Sequence, residues 1–172
     1  LNRDGDNVIA VRVDHSRIAD SRWYAGSGIY RNVWLTRASE LHFAQWGVGY
    51  RTLSVKNGVA SVMVDVEIDC PLEKGCSVEA RLVDDGGKVV AAGKVKAERK
   101  IEIPLKVRNA RLWDLDGCYM YRLEVALSRG KELIDRSVVD AGLRTLEFDA
   151  DRGFALNGKW MKIKGVCLHH DA

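Results

Sequence analysis

Apolar residues recur at every second position along most of this chain, and that period constrains its fold more than any other feature. Val62, Val64, Val66 and Ile68 alternate with Met63, Asp65 and Glu67. Val78, Ala80 and Leu82 form a second row, and Ile101, Ile103, Leu105 and Val107 a third. Tyr119, Tyr121, Leu123, Val125 and Leu127 make the longest. Successive side chains of a strand point to opposite faces, so each row gives one apolar and one polar face. A helix would need a period near 3.6, and every long apolar row here has period two. The expectation is an all-β chain.

Turn chemistry divides these rows into a recognisable series. Asp84-Asp85-Gly86-Gly87 and Arg129-Gly130 punctuate them, with further strands read at Val89 to Val95, Leu133 to Val139 and Leu143 to Phe148. Six or seven strands over about 100 residues, with a turn every 8–12, suit an immunoglobulin-like β-sandwich. That sandwich is expected from about Glu40 to Glu147. Before it, Ile9, Val11 and Val13 alternate, and Ile29 to Leu35 reads as another strand. A lone pair of strands is marginal in water, so these read as partial flanking strands of a neighbouring domain. After it, Asn157-Gly158 between short apolar stretches predicts a hairpin, and Met161 to Leu168 reads as a strand.

The charge balance narrows the function classes. The chain carries 27 basic and 24 acidic residues, interleaved, for a net charge of +3. Such a balance leaves no electrostatic footprint for nucleic acid or an anionic membrane. No apolar run approaches the ~20 residues of a spanning helix. The polar start, Leu1 to Asp6, lacks an initiating Met and the apolar stretch of a signal peptide, so the chain reads as a segment of a longer protein. Cys70, Cys76, Cys118 and Cys167 form no CxxC pair and no zinc-type spacing. Cys70 and Cys76 could meet across a turn, but buried free thiols are the expectation.

Two constellations carry candidate chemistry. His169-His170-Asp171 closes an apolar strand, where imidazoles and a carboxylate can bind hydroxyl-rich ligands, orient an acid or ligate a metal. Adjacent histidines on a strand face opposite ways, so no metal site is expected there. The loop from Asp20 to Arg31 sets Asp20 and Arg22 beside Trp23, Tyr24 and Tyr30. Rings that meet sugar C–H faces, next to hydrogen-bonding charges, suit carbohydrate recognition. The same aromatics would equally plug the space between two packed domains.

These segments also carry a resemblance. Asn7 to Asp14, Asp20 to Tyr24 and Gly28-Ile29-Tyr30-Arg31-Asn32-Val33-Trp34-Leu35 resemble the close of the sugar-binding jelly-roll domain of glycoside hydrolase family 2. Leu112-Trp113-Asp114 and Tyr119-Met120-Tyr121 resemble the late part of its immunoglobulin-like domain, although Asp116-Gly117-Cys118 stands where a proline is usual. Gly142 to Thr145, Phe154 to Lys159 and Lys164 to Asp171 are similar to the lead-in to its catalytic barrel, closest to the β-galactosidase-like branch.

The resemblance implies three parts: residues 1–39 closing the jelly roll, 40–147 forming the sandwich, and 148–172 supplying the hairpin and first strand of a (β/α)₈ barrel. Active-site residues of such barrels sit at the C-terminal ends of strands, which makes His169, His170 and Asp171 the rim of a substrate site. His169 matches the family's histidine beside the sugar, whereas His170 replaces a usual acidic residue. Arg22 occupies the position of a family aspartate, with Asp20 two residues earlier. The family is retaining and uses two glutamates about 5–5.5 Å apart. Both are expected beyond Ala172, so neither Glu132 nor Glu147 takes a catalytic role, and no cofactor is implied. The implied partners are a carbohydrate substrate and the adjoining jelly-roll and barrel domains. The reading is therefore a non-catalytic segment of a glycosidase of terminal β-galactosides. Alternatives are a stand-alone carbohydrate-binding or adhesion module, or a β-glucuronidase or β-mannosidase parent.

Overall fold

The computed structural model describes residues 2, 4–16, 27–29, 31–69 and 74–167. It divides into two units, Leu1–Thr36 with Lys164–Ala172, and Arg37–Ile163. The second contains every strand, and no helix occurs among the described residues.

Seven strands form a sandwich. β1 (Phe43–Lys56), β2 (Val59–Ile68) and β5 (Lys100–Arg108) make a three-stranded antiparallel sheet in the order β1-β2-β5. β3 (Cys76–Val83), β4 (Val89–Lys96), β6 (Tyr121–Arg129) and β7 (Glu132–Ala141) make a four-stranded one, in the order β4-β3-β6-β7. The expected all-β immunoglobulin-like sandwich is what the chain forms. Its core is the period-two rows: Val62, Val64 and Ile68 of β2 face Val78, Leu82, Leu123, Val125 and Leu127 of the other sheet, all essentially fully buried. Each such side chain contributes about 1.5–3 kcal/mol through removal from water. No charged or polar residue is buried among the described ones.

Tight turns hold the registers. Asn57 (φ 50°) and Gly58 (φ 73°) link β1 to β2 with Lys56 opposite Val59, and both left-handed conformations match a two-residue type I′ hairpin. Between β6 and β7 a two-residue turn has only its first residue, Gly130 (φ 61°), left-handed, with Arg129 opposite Glu132. At the start of β6 the Tyr121 hydroxyl accepts the Arg111 N–H at 2.9 Å, from ten residues upstream. This is a tyrosine corner, the device that ties the Greek-key crossover of such sandwiches. Sequence patterning places Tyr121 in the core but does not reveal this bond.

A smaller sheet follows. β8 (Leu146–Asp149), β9 (Gly153–Leu156) and β10 (Lys159–Met161) pair in the order β10-β9-β8. The predicted hairpin is present, with Asn157 (φ 51°) and Gly158 (φ 77°) at its turn and Lys159 opposite Leu156. Of the stretch Leu143 to Phe148, read as the last strand of the sandwich series, Leu146 to Phe148 pair with β9 in this third sheet instead.

Three expectations are corrected. Ile9 to Val13 and Ile29 to Leu35 form no strand where they are described, and Ile9, Val11, Val33 and Leu35 stay exposed. The strand read from Met161 to Leu168 stops at Met161, leaving Ile163 and Val166 exposed. Alternation supplies only a suitable face; a strand also needs a neighbour for its backbone N–H and C=O groups, and these segments pair with none. Third, Cys76 is a buried free thiol as expected, but Cys118 and Cys167 are exposed. Cys70 lies outside the described residues.

Candidate functional site

His169, His170 and Asp171 lie outside the described residues, and so do Asp20, Arg22 and Trp23. What the structure describes, within Arg37–Ile163, is the junction between sandwich and hairpin. Asn157, the first residue of the two-residue Asn-Gly turn, is bonded through its backbone N–H and both polar side-chain atoms. Its backbone N–H donates to the Thr145 carbonyl at 2.9 Å. Its Oδ1 accepts the Thr145 N–H at 3.0 Å, and its Nδ2 donates to the Trp113 carbonyl at 3.0 Å. The Trp113 N–H in turn donates to the Leu143 carbonyl at 2.9 Å.

The segment between β7 and β8 is held from both sides. Leu143 is fully buried, and Gly142 packs so closely beneath Trp113 that an added Cβ would lie 3.0 Å from the indole's own Cβ and from Met120 Sδ. Tyr50 Oη donates to the Gly142 carbonyl at 3.3 Å, and the Arg144 N–H donates to Thr52 Oγ1 at 3.3 Å. The Arg144 guanidinium sits 5.0 Å from the Trp113 ring centroid, within cation–π range. Strand β1, the Trp113 segment and the hairpin turn therefore share one network. In a low-dielectric setting such shared bonds fix orientation, since losing one partner strands the other.

The turn before β9 is fastened separately. Asp149 Oδ1 accepts the N–H groups of Asp151 and Arg152 at 3.0 and 2.9 Å, and Arg152 returns an ion pair at 3.2 Å. The Arg152 side chain, then those backbone donors, hold the Asp149 carboxyl below its usual range. Arg152 also covers the Trp160 ring at 4.2 Å. In the other unit, the described part of the Asp20–Arg31 loop shows Ser27 Oγ at 2.6 Å from His15 Nδ1.

The glutamates weighed in the sequence have structural places. Glu132 pairs with Arg129 at 3.0 Å beside the β6–β7 turn, and Glu147 is exposed on β8. No cluster of three metal-ligating side chains occurs among the described residues. No helix long and apolar enough to cross a membrane occurs among them. Sequence reasoning read Asn157-Gly158 as a turn and missed the Asn157 side chain as a staple. Its partners Trp113 and Thr145 are 44 and 12 residues away, beyond any local pattern.

Fold and junction define a class: an immunoglobulin-like sandwich fastened to a small β-sheet that leads out of it. Comparison with known proteins makes this specific. The family model described as Glycosyl hydrolases family 2 matches residues 44–144. A β-galactosidase of Bacteroides ovatus, BoGH2A, is 38% identical over 99% of this chain. A β-glucuronidase of Bacteroides fragilis is 33% identical over 96%. The crystal structure of a β-glycosidase from Bacteroides vulgatus superposes with a TM-score of 0.80 at 33% identity, covering 92% of this chain and 20% of that one. The chain belongs to glycosyl hydrolase family 2. It spans 21% and 26% of the length of those two curated relatives.

Proposed function

We propose that this chain is the non-catalytic scaffold of a retaining β-galactosidase-like glycosidase acting on terminal β-galactosides. Its sandwich, residues 40–147, would link a jelly-roll end at 1–39 to the first elements of a barrel at 148–172. The observation that carries this reading is the Asn157 network. A sandwich with no need to orient its neighbour would not commit Tyr50, Thr52, Trp113 and Asn157 to five backbone groups of the four-residue connection Gly142 to Thr145. In this reading the segment after β10 supplies His169, with His170 and Asp171, to the rim of the sugar pocket. Asp20, Arg22 and Trp23 are proposed as further sugar contacts. The carbohydrate partner is met through the longer protein, whose two glutamates do the chemistry.

The 172-residue chain is expected to show no turnover of a chromogenic β-galactoside, whereas the longer protein hydrolyses it with retention of anomeric configuration. Turnover by the short chain at a rate that persists through purification would overturn the scaffold role. A β-glucuronidase parent is the second reading, favoured by the B. fragilis relative. Comparing the longer protein's kcat/KM on galactoside and glucuronide separates the two.

A further inference from the structure

Trp46 is 93% exposed, the most exposed large ring among the described residues, and its backbone is left-handed at φ 60°. Bulky residues avoid that conformation, because the Cβ crowds the following carbonyl. The strand enforces it. β1 slips register between Phe43 and Val48, and Gly47 then lies so close to the sheet that a Cβ would sit 2.7 Å from the Glu67 and Ala44 carbonyl oxygens. A bulge of this kind re-aims a side chain. Here it lifts an indole clear of the outer face of the β1-β2-β5 sheet.

Beside the ring lies a cleft of about 470 Å³, bordered by Trp46, Asp65, Glu67, Lys100 and Glu102. Its floor is open at Gly49, which stands opposite Asp65 and where a Cβ would meet nothing within 4 Å. Every charge along it has a partner, with one carboxylate in excess. Arg51 pairs with Asp65 at 3.0 Å and with Glu102, and Lys100 lies 3.8 Å from Glu67. One carboxylate in excess disfavours an anion, and the paired carboxylate oxygens keep lone pairs for hydroxyl donors. A single ring offers about 150–250 Å² of contact, far below the ~800 Å² a side that a stable protein interface buries. An apolar platform above ion-paired hydrogen-bonding groups fits a pyranose: C–H face on the indole, hydroxyls on Asp65, Glu67 and Glu102.

We propose that this cleft is a non-catalytic binding site for neutral oligosaccharides, with Trp46 as its stacking platform. It would keep a polymeric substrate close to the enzyme rather than act on it. The inference rests on Trp46 and its cleft, and a longer protein with no β-galactosidase activity would leave it standing.

The test is affinity electrophoresis of the 172-residue chain through gels containing soluble linear galactan, polygalacturonate or no polysaccharide. Trp46→Asn removes the ring while suiting the left-handed backbone, so this variant should melt no lower than the parent chain. Galactan is expected to retard the parent chain, with affinity lowered roughly tenfold or more in Trp46→Asn and Trp46→Ala. Galactobiose should shift the amide resonances of Gly47, Gly49 and Asp65. Unretarded migration of the parent chain, retardation that survives Trp46→Asn, or equal retardation by polygalacturonate would each overturn the proposal. Retention by the short chain but not by the longer protein would overturn it too, and would identify Trp46 as a contact between domains.

Discussion

Tyr121 shows how much one polar atom can organise in a core that is otherwise apolar. Its ring is 3% exposed, packed edge-on to Tyr119 at 4.7 Å, while its hydroxyl satisfies the Arg111 N–H. Tyr121→Phe keeps the ring and strands that donor, so chemical denaturation should show a loss of about 1–2 kcal/mol. Burial pushes the phenol above its usual value, against the pull of the Arg111 N–H. The unfolded chain, titrating near pH ~10, then releases its proton first. Stability from this group is intact below that pH and is lost as pH rises through the raised folded value. The denaturation midpoint should therefore fall more steeply above pH ~10 in the native sequence than in Tyr121→Phe. Asn157→Ala removes two side-chain hydrogen bonds and places alanine at positive φ, and is expected to cost about 2–3 kcal/mol by the same measurement. Tyr121 as core was legible from its place in an alternating row; Asn157 as staple was not, because its partners are distant in sequence.

At the scale of elements, closure of the sandwich depends on small residues where the sheets approach. Gly93 of β4 faces β5 so closely that a Cβ would lie 2.7 Å from Ile103 Cγ2 and 3.2 Å from Leu105 Cδ2. Gly93→Val should overpack this edge and lower stability by about 1–3 kcal/mol, read from denaturant unfolding with an unchanged m-value. Strands β2, β3, β5 and β6 were legible because each buries one face only. β1 was harder to read: its bulges at Phe43–Val48 and Thr52–Ser54 break the alternation. Ile9 to Val13 failed in the opposite direction, with good alternation and no neighbour to pair with. Period two records which face an element can bury, and pairing is decided elsewhere in the chain.

For the whole molecule, compactness is concentrated in residues 37–163. Limited trypsin digestion should cut first at exposed, strandless basic sites such as Arg12 and Lys164, and leave a resistant product spanning β1 to β10. Early cleavage within β2 or β6 would contradict that picture. The alternating rows, the turn residues and the Asn-Gly hairpin determined by themselves that the chain is all-β and sandwich-forming. They could do so because burial of one strand face and left-handed turn geometry are local properties. Which strand joins which sheet, the transfer of Leu146 to Phe148 to a third sheet, and the union of Asn157, Trp113 and Thr145 were decided only by tertiary structure. So was the bulge that turns Trp46 outward. Each depends on backbone groups from segments far apart in sequence finding partners, and no local pattern encodes a partner's identity.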